Sequence, residues 1–385
     1  MEKEFALKKV FVLAGEASGD LHGAGVINEL KKTHPNVHFF GVGGTLLKEA
    51  GVACIYQASE ISFMGFTEIA RHFLFLRRVL RELKRAIKTE RPDVALLIDY
   101  PGMNLILAKY LKSLGIPVVW YIAPQVWAWK ESRVKKMKKS ISKLCVVFDF
   151  EVGFFKERGL DAAFVGHPII EELNHSGTAE VNSSLQAFNP EKDQRIIGLL
   201  PGSRKQEVDR LLPEMLKAAE ILAKEGDYKF LLGLAPTLDP SYYAKFLKST
   251  ALPIVQTTAY RVMLQSHLSW ITSGTATLEA LCFGTPMIVV YKTSPLNYFI
   301  GKRLVKIKNI ALANIVSQGL NSPKRTVPEL LQHEVSGAAL AANSREMLQR
   351  PEYLREMQAQ LLNSRAKLGS RSPSKEVAAY LIKHL

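Results

Sequence analysis

The chain of 385 residues has no apolar run long enough to cross a membrane as a helix, which takes roughly 18–20 residues. The best stretch, 94–108, is interrupted by Asp99, Pro101 and Asn104. The first residues, Met1-Glu2-Lys3-Glu4, lack the basic-then-apolar order of a secretory leader, so a cytosolic protein is expected. Cysteine is scarce. Cys54, Cys145 and Cys282 each sit in an apolar stretch, with neither disulfide nor metal spacing, and read as buried thiols. No G-K-[ST] follows any glycine turn, no Asp-x-Asp occurs, and the first glycine turn is not of G-x-G-x-x-G type. These absences argue against a Walker loop, that metal motif and a dinucleotide fingerprint. Short tandem repeats and low-complexity segments are also missing.

Acidic residues are few beside the basic ones, 36 against 51, which leaves a net charge of +15. The excess is concentrated early. Residues 1–150 carry 23 Lys and Arg against 14 Asp and Glu, and 101–143 hold nine basic residues against Glu131 alone. Such a balance implies an anionic partner: nucleic acid, an acidic lipid surface or a phosphorylated substrate.

What is present is a chain with 47% hydrophobic and 23% charged residues, enough to bury two cores and too long for one ordinary domain. Short apolar runs at 10–13, 37–41, 94–98, 118–121 and 144–148 alternate with amphipathic stretches. The segment 174–193 is polar and turn-rich and reads as a linker. Runs at 196–200, 230–234, 269–272 and 287–291 then restart the alternation, and 327–385 reads as mostly helical. This is the pattern of parallel sheets covered by helices. An α/β protein follows, with two Rossmann-like domains, 1–173 and 194–364, facing across a cleft. The last helix, 365–385, is expected to return to the first domain.

Five motifs lie where strands of such sheets end. In VFVLAGEASGDLHGAG (10–25) a strand ends at Gly15 and Ser18-Gly19-Asp20 opens a helix. Free N–H groups there hold anions or polar sugar groups, which makes Gly15, Glu16, Ser18, Gly19 and Asp20 substrate candidates. Ser18 and Asp20 read equally as helix caps. In LLIDYPGMN (96–104) Asp99 stands at a strand's carboxyl end, the ligand side of open α/β sheets, where a carboxylate can act as general base. Asn104, in the same Asp-x-Pro-x-x-Asn context, is a substrate-binding candidate. The alternative for Asp99 is a helix cap. YIAPQVWAWK (121–130) sets Trp127 and Trp129 after another strand, suited to a sugar face or lipid headgroup or, alternatively, to interdomain packing, and Gln125 beside them is a substrate-binding candidate.

In IIGLLPGSRKQEV (196–208) a strand delivers Gly202, Ser203 and Arg204 to a helix start, a phosphate-type loop. WITSGTATLEALCFGTPMIVVY (270–291) repeats the device with Ser273, Gly274 and Thr275. Glu279, one helical turn beyond Thr275, can hold both hydroxyls of a ribose. Caps and a solvated glutamate are the plainer reading of each loop taken alone.

A sixth stretch, 66–88, carries Phe66, Ile69, Phe73, Leu76, Leu80, Leu83 and Ile87 at spacings of three and four. Phe75 and Val79 widen the apolar arc, Leu74 lies on the opposite side, and Arg71, Arg77, Arg78, Arg81, Lys84 and Arg85 fill the polar face. A wide apolar face with a cationic border fits a helix lying on an anionic membrane, with Phe66, Phe73, Leu74, Phe75, Leu76 and Val79 as contacts. An ordinary core helix is the alternative. The basic, aromatic stretch 298–308 offers a second contact.

Together, GEASGD, ISFMGFTEI, Asp-Tyr-Pro-Gly-Met-Asn, PQVWAWK, VGHP, LPGSR, SGTATLEAL and VPELLQ resemble the lipid A disaccharide synthases, inverting glycosyltransferases of the GT-B fold. They run in that family's order from residue 15 to about 332. Gly102 departs from it, standing where an acidic residue is common, and His22 has no matching position. The resemblance implies transfer of 2,3-diacylglucosamine from UDP-2,3-diacylglucosamine to 2,3-diacylglucosamine 1-phosphate, giving a β-1,6-linked disaccharide phosphate and UDP. It implies work at the cytosolic face of the inner membrane, no cofactor and no metal, and it is compatible with a homodimer. Asn314 joins the UDP-binding candidates on this ground, and His167 of VGHP reads as a substrate contact or as a core histidine. Non-hydrolysing UDP-N-acetylglucosamine 2-epimerases share the scaffold but need no amphipathic basic helix. A GT-B transferase on another lipid-linked acceptor lacks GEASGD and VWAW. A nucleic-acid module is disfavoured, because the basic residues border apolar surface and no such motif is present.

Overall fold

The computed structural model describes residues 7–62, 71–128, 130–175, 194–294, 298–299, 303 and 307–385. Phe66, Trp129, nearly all of the linker expected at 174–193 and most of 298–308 lie outside them. The chain divides into two compact units: Met1–Glu171 with Gly369–Leu385, and Glu172–Leu368.

In the first unit seven parallel strands, β1 (Lys9–Ala14), β2 (His38–Gly43), β3 (Val52–Gln57), β4 (Val94–Ile98), β5 (Val118–Tyr121), β6 (Lys143–Val146) and β7 (Ala162–Phe164), stand in the order β3-β2-β1-β4-β5-β6-β7. The chain moves outward from β1 to β3, then returns to the other side of β1, so strand order reverses between β1 and β4. Interior strands are buried on both faces, which is why Val-Ala-Leu-Leu-Ile of β4 has no polar position.

Its helices are α1 (Ala17–Thr33), α2 (Thr45–Glu49), α3 (Ala58–Ile61), α4 (Phe73–Glu90), α5 (Pro101–Ser113), α6 (Arg133–Ser140) and α7 (Asp149–Glu157). The division between units falls inside α8 (Pro168–His175).

The second unit holds β8 (Arg195–Leu200), β9 (Tyr228–Leu234), β10 (Ile254–Thr258), β11 (Leu268–Thr272), β12 (Met287–Tyr291) and β13 (Glu329–Leu331) in the order β10-β9-β8-β11-β12-β13, again all parallel. Here the order reverses between β8 and β11. Its helices are α9 (Lys205–Ala223), α10 (Ser241–Leu247), α11 (Ala259–Gln265), α12 (Ala276–Phe283), α13 (Leu312–Gln318), α14 (Gly337–Leu348) and α15 (Pro351–Arg365). The stretch 327–385 is mostly helical, as its pattern indicates, with the short strand β13 at its start.

The chain then re-enters the first unit, where α16 (Pro373–Ile382) packs on α1. Gly25 allows that approach, since a Cβ there would strike the Ser374 hydroxyl. Ser372 and Ser374 donate to the Glu171 carboxylate at 2.6 and 2.8 Å and fasten the start of α16.

Helix α4 corrects the reading of 66–88. Val79 is 0% exposed and joins Leu83 and Ile87 in the core, with Phe75 and Leu76 half-buried against it. Val79 therefore cannot contact a membrane. Phe73, expected in the core stripe, is instead 58% exposed, and Leu74 is 78% exposed. The buried stripe runs through Val79, Leu83 and Ile87, which rotates Phe73 and Leu74 into solvent among Arg71, Arg77, Arg78 and Arg81.

Candidate active site

Each unit collects its motif residues at the carboxyl ends of the two strands where strand order reverses, the position at which open α/β sheets bind ligands. In the first unit Ala14 and Ile98 are register partners, so Gly15 and Asp99 emerge side by side. Asp99 (φ 43°) and Tyr100 (φ 45°) both adopt the left-handed region, and so does Ile122 (φ 63°) at the end of the neighbouring β5. A β-branched residue there is strained, and such strain persists only where surroundings fix it. They do. The Asp99 amide donates to the Tyr121 carbonyl at 3.0 Å, the Ile122 amide to Cys145 at 3.1 Å, and the Trp120 indole to the Ile122 carbonyl at 3.2 Å.

Burial, with the Glu16 carboxylate nearby as a smaller contributor, pushes Asp99 up to about 6, and Glu16 itself is part-exposed. A carboxylate so raised is a stronger base that is still ionised at neutral pH. Burial also holds two histidines neutral. His22 falls to about 4 and His167 to about 3, and the His167 Nδ1 accepts the Ile169 amide at 3.2 Å, which leaves its proton on Nε2.

Several sequence candidates in this unit turn out to be scaffold. Asp20 is buried and accepts the amides of Gly44, Leu46 and Leu47 at 2.6–3.0 Å, capping α2 rather than meeting a ligand. Asn104 is fully buried and donates to the carbonyls of Ile98 and Asp99, so it shapes the turn. Gly15 lies under the Tyr100 ring, where a Cβ would not fit, and Gly19 is buried in close packing against Ala14 and Ile98. Ser18 and Gln125 remain exposed, and Glu16 remains accessible. Trp127 is turned inward, its indole donating to Glu151 at 2.9 Å.

In the second unit Leu200 and Ile271 are register partners, so Pro201–Arg204 and Ser273–Thr275 emerge together. Gly202 (φ 116°) must be glycine, because a Cβ would meet Glu207. Gly274 (φ 149°) faces open space. The amides of Thr275 and Ala276, at the start of α12, have no acceptor among the described residues, as helix N-termini leave them. Ser273 donates its hydroxyl to the Ile310 carbonyl at 3.2 Å, so it offers substrate an acceptor lone pair. Glu279 is part-buried, and burial, aided by Glu172, raises it to about 7.

One correction follows in this unit. Asn314 is fully buried with all its bonding capacity used. It accepts the Thr326 and Val327 amides at 2.8 and 2.9 Å and donates to the Val327 carbonyl and the Glu329 carboxylate, both at 2.9 Å. It ties α13 to the strand β13 and has no face for UDP. Glu207, not among the sequence candidates, belongs to the same loop as Ser203 and Arg204. Its carboxylate accepts the amides of Ser203 and Arg204 at 3.1 and 3.3 Å and pairs with the Arg204 guanidinium at 3.0 Å. An anion thus already sits on the donors that the loop would offer a phosphate. A glutamate three residues into a helix, after a polar loop, is the sequence signal that marks it.

Two Rossmann-like units, each with motif loops at the strand-order reversal and each with a raised carboxylate, define a protein of the GT-B class. Solved structures agree on the fold. A putative UDP-N-acetylglucosamine 2-epimerase from Listeria monocytogenes superposes with a TM-score of 0.59 at 13% identity, covering 98% of this chain and 95% of its own. A calicheamicin glycosyltransferase gives 0.57 at 15% identity, covering 99% and 98%. The sequence family is more specific. The family model described as lipid-A-disaccharide synthetase matches residues 10–383. The lipid-A-disaccharide synthase of Geobacter metallireducens is 38% identical over 381 residues, 98% of this chain and 97% of the relative. That of Coxiella burnetii (strain Dugway 5J108-111) is 35% identical over 372 residues, 96% and 97%. The chain belongs to the lipid-A-disaccharide synthase family, and it is a hexosyltransferase.

Proposed function

We propose that the chain transfers 2,3-diacylglucosamine from UDP-2,3-diacylglucosamine to the 6-hydroxyl of 2,3-diacylglucosamine 1-phosphate, with Asp99 as general base. The observation that carries the assignment of the base is the part-buried Asp99, held in left-handed backbone at the β1/β4 reversal and raised to about 6. Asp99 takes the hydroxyl proton as the acceptor oxygen attacks the anomeric carbon. The bond from that carbon to the diphosphate breaks and its electron pair leaves with UDP, so the configuration inverts. Negative charge grows on the departing diphosphate. The N-terminus of α12 and Arg204 meet it, and Arg204 must leave Glu207 to do so. Glu279 accepts from the ribose hydroxyls, and Glu16, Ser18 and Gln125 meet the acceptor sugar. These groups answer the charge that develops, so the reading calls for no metal and no cofactor.

Acylated substrates reside in a membrane, and the reading places the enzyme at its cytosolic face. Phe73 and Leu74, exposed at the start of α4 within a run of arginines, support this. No helix among the described residues is long and apolar enough to cross a membrane. The test is to incubate protein with the donor, with and without the acceptor, and to follow products by mass spectrometry. Disaccharide phosphate and UDP forming only with both substrates is the expected result. Epimerisation of a simpler UDP-sugar, with no acceptor-dependent product, overturns the reading.

A further inference from the structure

Glu151 takes no part in the chemistry above, yet its carboxylate is buried to 1% exposure at the carboxyl edge of the first sheet. It accepts the Trp127 indole N–H at 2.9 Å and the Phe148 amide at 3.2 Å. Other glutamates at the third position of a helix, Glu60, Glu207 and Glu334, also accept the amide at their own helix start, and none of these is buried. A cap alone therefore does not require burial, and burying a carboxylate is costly. What distinguishes Glu151 is its bond to a separate segment, the loop 122–128 after β5.

That loop is fastened at two ends. Ile122 is held by β6 through the Cys145 carbonyl, and Trp127 by Glu151. Between them Val126 and Ala128 close tight turns onto Pro124 and Gln125, Ala123 and Val126 enter the core, and Gln125 is left exposed at the tip. The Trp127 ring meets Phe150 edge-on at 5.4 Å, Phe150 stacks on Phe148 at 5.4 Å, and Phe148 lies against His167 at 5.1 Å. The loop begins beside Asp99, whose amide is bonded to Tyr121. We propose that Glu151 is a positioning residue: by holding the Trp127 indole it fixes the 122–128 loop, and with it Gln125, where the acceptor sugar is seated beside Asp99. The inference rests on the reading that the acceptor binds at this edge.

The test compares Glu151→Gln and Trp127→Phe with the parent enzyme in acceptor and donor titrations, alongside UDP binding. Gln keeps one acceptor oxygen where the carboxylate offers two, and Phe removes the indole donor. Each variant is expected to raise the acceptor KM about 10-fold, well inside the range that misplaced substrate contacts can cost, with kcat, donor KM and UDP binding little changed. The double variant should be no worse than the more impaired single one, since both break one hydrogen bond. Acceptor KM unchanged in both, with only a lower Tm, overturns the proposal and leaves Glu151 as a helix cap. Should Glu151→Gln fail to fold, Trp127→Phe decides alone. Asp99→Ala runs in parallel. Its loss of turnover with a normal acceptor KM in the other two sinks only the positioning role, whereas full turnover in Asp99→Ala sinks the underlying assignment.

Discussion

The two strand-order reversals are built on the same plan and carry different loop chemistry. At β1/β4 the ends are acidic, crowded and strained. Asp99 and Tyr100, with Ile122 at the end of the neighbouring β5, hold left-handed backbone without being glycine, and two carboxylates, Asp99 and Glu16, stand near each other. At β8/β11 the ends are glycine turns that present N–H groups and an arginine. The first arrangement raises a carboxylate and suits proton removal. The second sets amide donors and an arginine at the strand ends, with Glu207 bound to part of them, and is the place we propose for the diphosphate. One topology supplies the location in both, and the loop chemistry supplies the role.

The comparison breaks most visibly at Asp99. Replacement by Ala should lower kcat by about 10²–10⁴-fold, the usual worth of a general base, while UDP binding stays at the parent level. Near-normal turnover would remove Asp99 as base. At the other reversal, Arg204→Ala should weaken UDP binding as well as turnover, by about 1.5–3 kcal/mol, as loss of a hydrogen bond to a charged group does. An effect on acceptor KM alone would contradict the division of tasks.

Surface and core on α4 separate next. Phe73→Glu with Leu74→Glu should reduce sedimentation with anionic vesicles by roughly 10-fold at an unchanged Tm, because both side chains are already in water. Val79→Glu, by contrast, places a charge in the core and should unfold the protein. Vesicle binding insensitive to the Phe73/Leu74 pair would remove this helix as an anchor.

The smallest effect concerns the coupling of the two carboxylates. Asp99 is protonated below about 6, so kcat/KM should fall about tenfold per pH unit on the acid side of that value. Glu16 raises Asp99 as a like charge, so Glu16→Gln should move this limb to lower pH by less than about one unit. A limb near 4 in the parent enzyme would show that Asp99 is not raised. The same shift has a consequence for stability. The folded state binds a proton more tightly at Asp99 than the unfolded chain does, so this group's contribution declines as pH rises from about 4 to about 6. Asp99→Asn should therefore raise Tm at neutral pH while abolishing turnover.

The strands legible in the sequence were the interior ones. All nine runs recognised as strands lie inside the two sheets, and the four that escaped, β3, β7, β10 and β13, are their edges. Interior parallel strands are buried on both faces and read as continuous apolar runs. Edge strands are short, as β7 and β13 are, or face water, as the exposed Ala53 and Ile55 of β3 and Val255 and Gln256 of β10 do, so burial on both faces does not mark them, and β3 escaped although it is apolar through Tyr56. The site was legible to the extent that a motif directly follows an interior strand, as with Asp99, Gly202 and Gly274. It was not legible where a polar residue's partners are distant in sequence. Nothing near Asn314 announces Glu329, nothing near Asp20 announces the amides of α2, and nothing near Trp127 announces Glu151.

What the sequence determined by itself was the alternation of apolar runs and amphipathic helices, the glycine turns at strand ends and the family these motifs belong to. All are local patterns set by burial period and backbone freedom. Only the tertiary structure decided which polar residues are spent on the scaffold and which face of α4 is buried. Both depend on what packs against a residue from elsewhere in the chain, and hydrogen-bond partners and core neighbours are chosen by the fold.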